Sequence, residues 1–154
     1  MFRSLLVALW FSALPPMLAA QGPPIQANGI RDLDFGTVIQ GIPSRVAPSD
    51  PVRSGEFEFI TAIGNRIRMQ FTLPTRLNGP GNARMPISFG ATDGIATGTA
   101  PTSIPVTFDP RVAQTFLIVT SSRILVFIGG TVSPAGNQRT GTYTGTIRMT
   151  VTIL

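Results

Sequence analysis

Twelve arginines and seven acids give this 154-residue chain a net charge of +5, with no lysine, histidine or cysteine. Those absences exclude the Ser-His-Asp and Cys-His arrangements, remove the usual zinc ligands and leave no disulfide to hold the fold. The arginines are spread singly along the chain and do not form the clustered footprint of a nucleic-acid binder, so they read as solvated outer faces of strands.

Met1 to Ser4 carries one positive charge, Leu5 to Leu14 is apolar, and Pro15 to Ala20 is short and rich in small and turn residues. This is the layout of a secretory signal peptide, whose apolar run is too short to span a bilayer. With cleavage after Ala20, the chain divides into a signal peptide (1–20), an extended N-terminal arm (21–29) and a single domain (30–154). An uncleaved membrane anchor is the alternative reading. The protein is expected to be secreted, with no integral membrane segment once the signal is removed. Without cysteines, its stability must come from sheet packing or from partners.

In Gln21 to Gly29, Pro23-Pro24 favours an extended backbone, and Ile25, Ala27 and Gly29 share one parity. Leu33 to Ile39 predicts a first strand, interrupted by Gly36, with Leu33, Phe35 and Thr37 on one face. Gly41 to Ser54, with three prolines, predicts a loop. Gly55 to Leu73 holds two strands around Gly64-Asn65. A two-residue hairpin there would set Glu58 opposite Phe71 and point the two apolar stripes to opposite sides. The register instead favours strands in two different sheets, so that Phe57 and Phe59 face Ile67, Met69 and Phe71 across a sandwich.

Pro74 to Pro110 is rich in Gly, Pro, Thr and Asn, with apolar islands at Met85–Phe89 and Ile104–Phe108. Pro86 and Pro105 confine these to edges or strand ends. Phe116–Val119 and Ile124–Ile128 are apolar on both faces, as suits the middle of a packed structure. Ser133 to Thr140 predicts a turn. In the closing stretch, Gly141 to Leu154, Tyr143, Gly145, Ile147, Met149, Val151 and Ile153 alternate with five threonines and Arg148, which predicts one long strand with a single apolar flank. With no helical periodicity of useful length, the expected fold is an all-β sandwich of about seven strands.

Little in the chain suggests chemistry. Asp32, Asp34, Glu56 and Glu58 alternate outward like ordinary solvated charges, and with Asp93 and Asp109 they complete the carboxylates considered for glycoside hydrolysis. Asp32-x-Asp34 lacks a ligand-rich calcium loop, Asp93-Gly94 is a turn dipeptide, and Gly129-Gly130 lacks the strand-to-helix context of a phosphate loop. The sequence therefore predicts no catalytic residue, cofactor or metal.

Leu33-Asp34-Phe35-Gly36-Thr37, Phe57-Glu58-Phe59-Ile60-Thr61, Leu125 to Thr131 and Gly141-Thr142-Tyr143-Thr144-Gly145-Thr146, in that order, resemble a family of exported bacterial domains known as domain of unknown function 4402. That family is similar to the spore coat protein U domain and to chaperone–usher pilins. The resemblance implies an immunoglobulin-like, pilin-like sandwich that assembles by strand addition at a sheet edge. It also implies a location in the periplasm or on the bacterial cell surface. The function expected is that of a non-enzymatic structural or adhesive surface subunit. Its partners would be other copies or related subunits and a periplasmic chaperone. Ile25 and Ala27 would be the donor arm, and Ile147, Met149, Val151 and Ile153 the partner groove. The alternative is a monomeric secreted module whose loops hold a carbohydrate or a protein.

Overall fold

The computed structural model describes Ile25 and residues 27–154. The signal-peptide reading and the rest of the arm lie outside the described residues. Twelve strands are present: β1 (Ala27–Arg31), β2 (Ser44–Val46), β3 (Gly55–Ile60), β4 (Arg66–Thr72), β5 (Arg76–Asn78), β6 (Arg84–Ser88), β7 (Gly94–Gly98), β8 (Val106–Phe108), β9 (Gln114–Leu117), β10 (Arg123–Ile128), β11 (Gly130–Val132) and β12 (Arg148–Ile153). They form three antiparallel sheets with orders β1-β3-β10-β7-β8, β2-β11-β6-β5 and β12-β4-β9.

The all-β sandwich is as the alternation requires. β3 and β4 lie in different sheets, and the five-stranded and three-stranded sheets face each other across the core. Phe71 of β4 meets Phe57 edge-on (5.8 Å) and stacks on Phe108 of β8 (6.0 Å). Such pairs each add about 0.5–1.5 kcal/mol beyond their buried area. Phe59, Val126 and Ile128 on one side and Ile67, Met69 and Val151 on the other complete the core.

Twelve strands replace the seven expected because long runs bend and change partners. The run from Arg123 to Val132 serves two sheets: β10 sits between β3 and β7, and after Gly129 β11 sits between β2 and β6. A Cβ at Gly129 would collide with the Val46 carbonyl, so glycine permits this corner. The run from Gly55 is split in the same way, with β4 ending before Pro74 and β5 joining β6.

Several expectations need correction. Leu33–Ile39 is not a strand. Asp34 Oδ1 accepts the Gly36 N–H (2.7 Å), and the Arg53 guanidinium donates to the carbonyls of Asp34 (3.2 Å) and Phe35 (2.6 Å), so side chains occupy groups that a ladder would use. Gly36 takes φ +62°, and beyond it Val38 packs on the core in place of Thr37. The expected loop 41–54 contains β2; Asp93 closes the 90–93 turn, as a turn dipeptide should, and β7 begins at Gly94. Gly94 is required there by the Phe108 ring lying against its Cα. β6 is an internal strand despite Pro86. β5 runs beside residues 84–86 and β11 beside 87–88, so the proline sits where the neighbour changes. β9 is an edge strand with Leu117 exposed, whereas β10 occupies the central position expected of both apolar runs.

Candidate functional site

The closing stretch forms a strand only from Arg148. Before it, residues 141–147 remain extended but pair solely at an Asn78–Thr144 bridge, with reciprocal bonds of 2.7 and 2.9 Å to β5. The segment thus leaves the three-stranded sheet and leans on the four-stranded one. Tyr143 fixes this course. Its hydroxyl donates to the Arg139 carbonyl (2.6 Å) and accepts from Gln138 Nε2 (2.6 Å), which also donates to the Arg84 carbonyl (3.3 Å). The Tyr143 ring lies over Gly79, where any side chain would strike it.

Opposite runs the other strand-like segment, residues 33–40. Among the described residues no backbone hydrogen bond joins it to 139–147. Between the two opens a cleft of about 850 Å³. Its floor is apolar, made by Leu77, Met85, Ile87 and Val132 of the four-stranded sheet with Phe57 and Ile147. Its rim is polar, with Asp32, Asp34, Gln40 and Arg139.

A tight turn holds the 33–35 side. Asp50 Oδ1 accepts the N–H groups of Val52 and Arg53 (both 2.9 Å), and these bonds hold its carboxyl below the usual carboxylate range. Arg53 is thereby aimed at the 34–35 carbonyls. Just after β8, Arg111 binds Asp109 through two nitrogens, lowering that carboxyl and raising the guanidinium.

The structure separates the residues read as a groove. Ile147 lines the cleft, half-buried. Met149 packs half-buried against the core, and Val151 is only 6% exposed within it. Ile153 lies at the opposite end of β12, paired with Ile67 and 44% exposed. The strand twists through the core on its way from one pole to the other, so one parity does not make one surface. The two residues read as a donor arm lie on this chain's own fold. Ala27 pairs with Phe59 in β1, and Ile25 and Ala27 cover this chain's own core. β1 thus starts within the stretch read as the arm.

The carboxylates do not converge. Glu56 pairs with Arg31 (3.2 Å), Glu58 with Arg123 and Asp93 with Arg45 (2.7 Å). Among the described residues no three metal-ligating side chains cluster. Sequence reasoning missed the cleft floor, because Leu77, Met85, Ile87 and Val132 come from short runs joined only by tertiary pairing. The signal for the walls was present in two strand-like segments, each interrupted by glycine. No protein-family profile matches the chain, and no curated protein matches it.

Proposed function

We propose that this is an exported, non-enzymatic structural or adhesive subunit of the bacterial surface, and that the cleft between residues 33–40 and 139–147 accepts an extended strand from another copy or a related subunit. The observation that carries this reading is the pair of facing segments without mutual backbone bonds, set above an apolar floor. With the main-chain groups of 34–36 held by Asp34 and Arg53, an inserted strand would pair with the 142–147 wall beside its single bridge, and its alternate side chains would fill the floor. Two features of the architecture support it. The order β1-β3-β10-β7 facing β12-β4 follows an immunoglobulin-like sandwich up to its penultimate strand, and among the described residues no strand covers the outer edge of β12. Tyr143, bonding a carbonyl four residues upstream as the chain enters β12, matches the tyrosine corner of such sandwiches.

Since the described part of the arm is engaged with β3, the donor is either another extended segment or an arm released from its own sheet. A periplasmic chaperone would hold the same cleft before assembly. Sedimentation of the exported protein tests the reading. Self-association is expected, and Leu77→Arg or Ile147→Arg, which place a charge on the cleft floor, should abolish it. A protein monomeric at every concentration refutes the assembly. That result favours a monomeric secreted module binding a carbohydrate or peptide, a reading supported by a cleft volume within the usual range for ligand sites.

A further inference from the structure

The pole opposite the cleft carries a different surface. Here β3 ends at Ile60 beside Arg123, β4 begins at Arg66 beside Leu117, and Leu154 N donates to the Arg66 carbonyl (2.8 Å). β7 ends beside Ile124, and the loop after it is tied to the β9–β10 loop by Ser103 Oγ and Thr120 Oγ1 (3.1 Å). Six large aliphatic side chains stand in solvent at this pole: Ile60, Ile63, Ile104, Leu117, Val119 and Leu154, with Ile104 82% exposed. Beneath the two loops lies an apolar opening of about 240 Å³, floored by Phe59, Ile67 and Met69. Scattered exposed aliphatics are ordinary, but Ile104, Leu117 and Val119 line the apolar opening itself, and such a grouping marks an interaction surface.

Among the described residues, the side-chain charges left without an opposite partner at this pole are of one sign. Arg66 lies between Leu154 and Leu117 across three strands, and Arg68 occupies the next row between Thr152 and Thr115. Both are exposed, and among the described residues neither has a carboxylate partner. Glu58, on β3 at the same pole, is taken by Arg123. A second copy docked here about a two-fold axis would set these arginines against their own kind with no acid to offset them. β1 begins at this pole, with Ala27 opposite Phe59 near the end of β3.

We propose that this pole docks on a lipid bilayer bearing anionic headgroups. The aliphatic side chains enter the interfacial region. The Arg66 and Arg68 stems lie along them, and each guanidinium binds a phosphate through two N–H groups. This contact is independent of the cleft and does not rest on the assembly reading.

The test uses protein purified after export from expression of the full chain. It is sedimented with vesicles of phosphatidylcholine alone and of phosphatidylcholine with an equal part of phosphatidylglycerol. Binding is expected only to the anionic vesicles and should weaken with salt. With each arginine near an anionic surface worth roughly fivefold in affinity, Arg66→Gln with Arg68→Gln should weaken binding by roughly 30-fold. Ile104→Ser with Leu117→Ser should weaken it as well. All four positions are exposed, so thermal unfolding should be unchanged in both variants. Absence of binding to anionic vesicles overturns the proposal, as does equal binding by the variants or equal binding to phosphatidylcholine alone. A concentration-dependent dimer lost in Leu117→Ser also overturns it and assigns the surface to a second copy.

Discussion

At one pole, two extended segments flank an open cleft and are held by side chains: Arg53 on the 34–35 carbonyls, Tyr143 and Gln138 on the 139–143 course. At the other, β3, β4, β9, β10 and β12 all end in register, and their loops lift aliphatic side chains into water. The first pole has its apolar residues below and its polar groups above, with backbone capacity unused between them. The second has β4 and β10 paired on both sides to their ends and its apolar residues outside. A deficit of main-chain bonds calls for a strand, whereas a surplus of exposed hydrocarbon calls for a surface. The same sandwich therefore offers two kinds of contact, distinguished by which part of the chain is left unsatisfied.

The largest expected effect abolishes the contrast by removing what both poles share. Phe59, 1% exposed, belongs to the common core and floors the opening at the aliphatic pole. Phe59→Ala should cost about 3–5 kcal/mol in chemical denaturation and loosen both poles together. If only one pole loosened, by amide hydrogen exchange, the core would not be common to both. A smaller change should divide them. Tyr143→Phe removes the hydroxyl that joins Gln138 to the Arg139 carbonyl and leaves the buried Gln138 amide short of a partner. The expected cost is about 1–3 kcal/mol, with faster exchange at 139–147 and none at 61–65. The smallest effect is on pH. Asp50 has its carboxyl lowered in the fold by two backbone N–H donors, so the unfolded chain binds its proton first as pH falls. Its contribution is fully present above the ordinary carboxylate range and is lost as pH drops through the folded value. Acid below the ordinary carboxylate range should therefore lower the protection factors at 52–54, taken relative to the intrinsic exchange rate at each pH, and Asp50→Asn should remove that acid dependence.

The fold was legible wherever a face is set by alternation alone. The mismatch at Gly64-Asn65 separated β3 from β4 correctly, because Phe57–Phe59 and Ile67–Phe71 can share a core only from opposite sheets. Leu33–Ile39 misled because its backbone groups are taken by Arg53, a residue whose role depends on a turn elsewhere. β7 was hidden because Asp93 looked like a turn residue. It does close the 90–93 turn, accepting the Gly90 N–H at 2.7 Å, and the strand begins immediately after it. In the candidate site, the two walls were visible as strand-like segments with glycine interruptions. The floor was not, since its four side chains meet only through the pairing of β5, β6 and β11.

The corner at Gly129 bears on how the molecule carries load. A single run of backbone threads from the middle of the largest sheet into the middle of the next, hydrogen-bonded on both sides before and after the bend. Tension entering through one sheet cannot be relieved by sliding that run free, because two ladders must shear at once in each half. A domain built this way resists pulling as a unit, and would yield first where the segments hang by a few bonds.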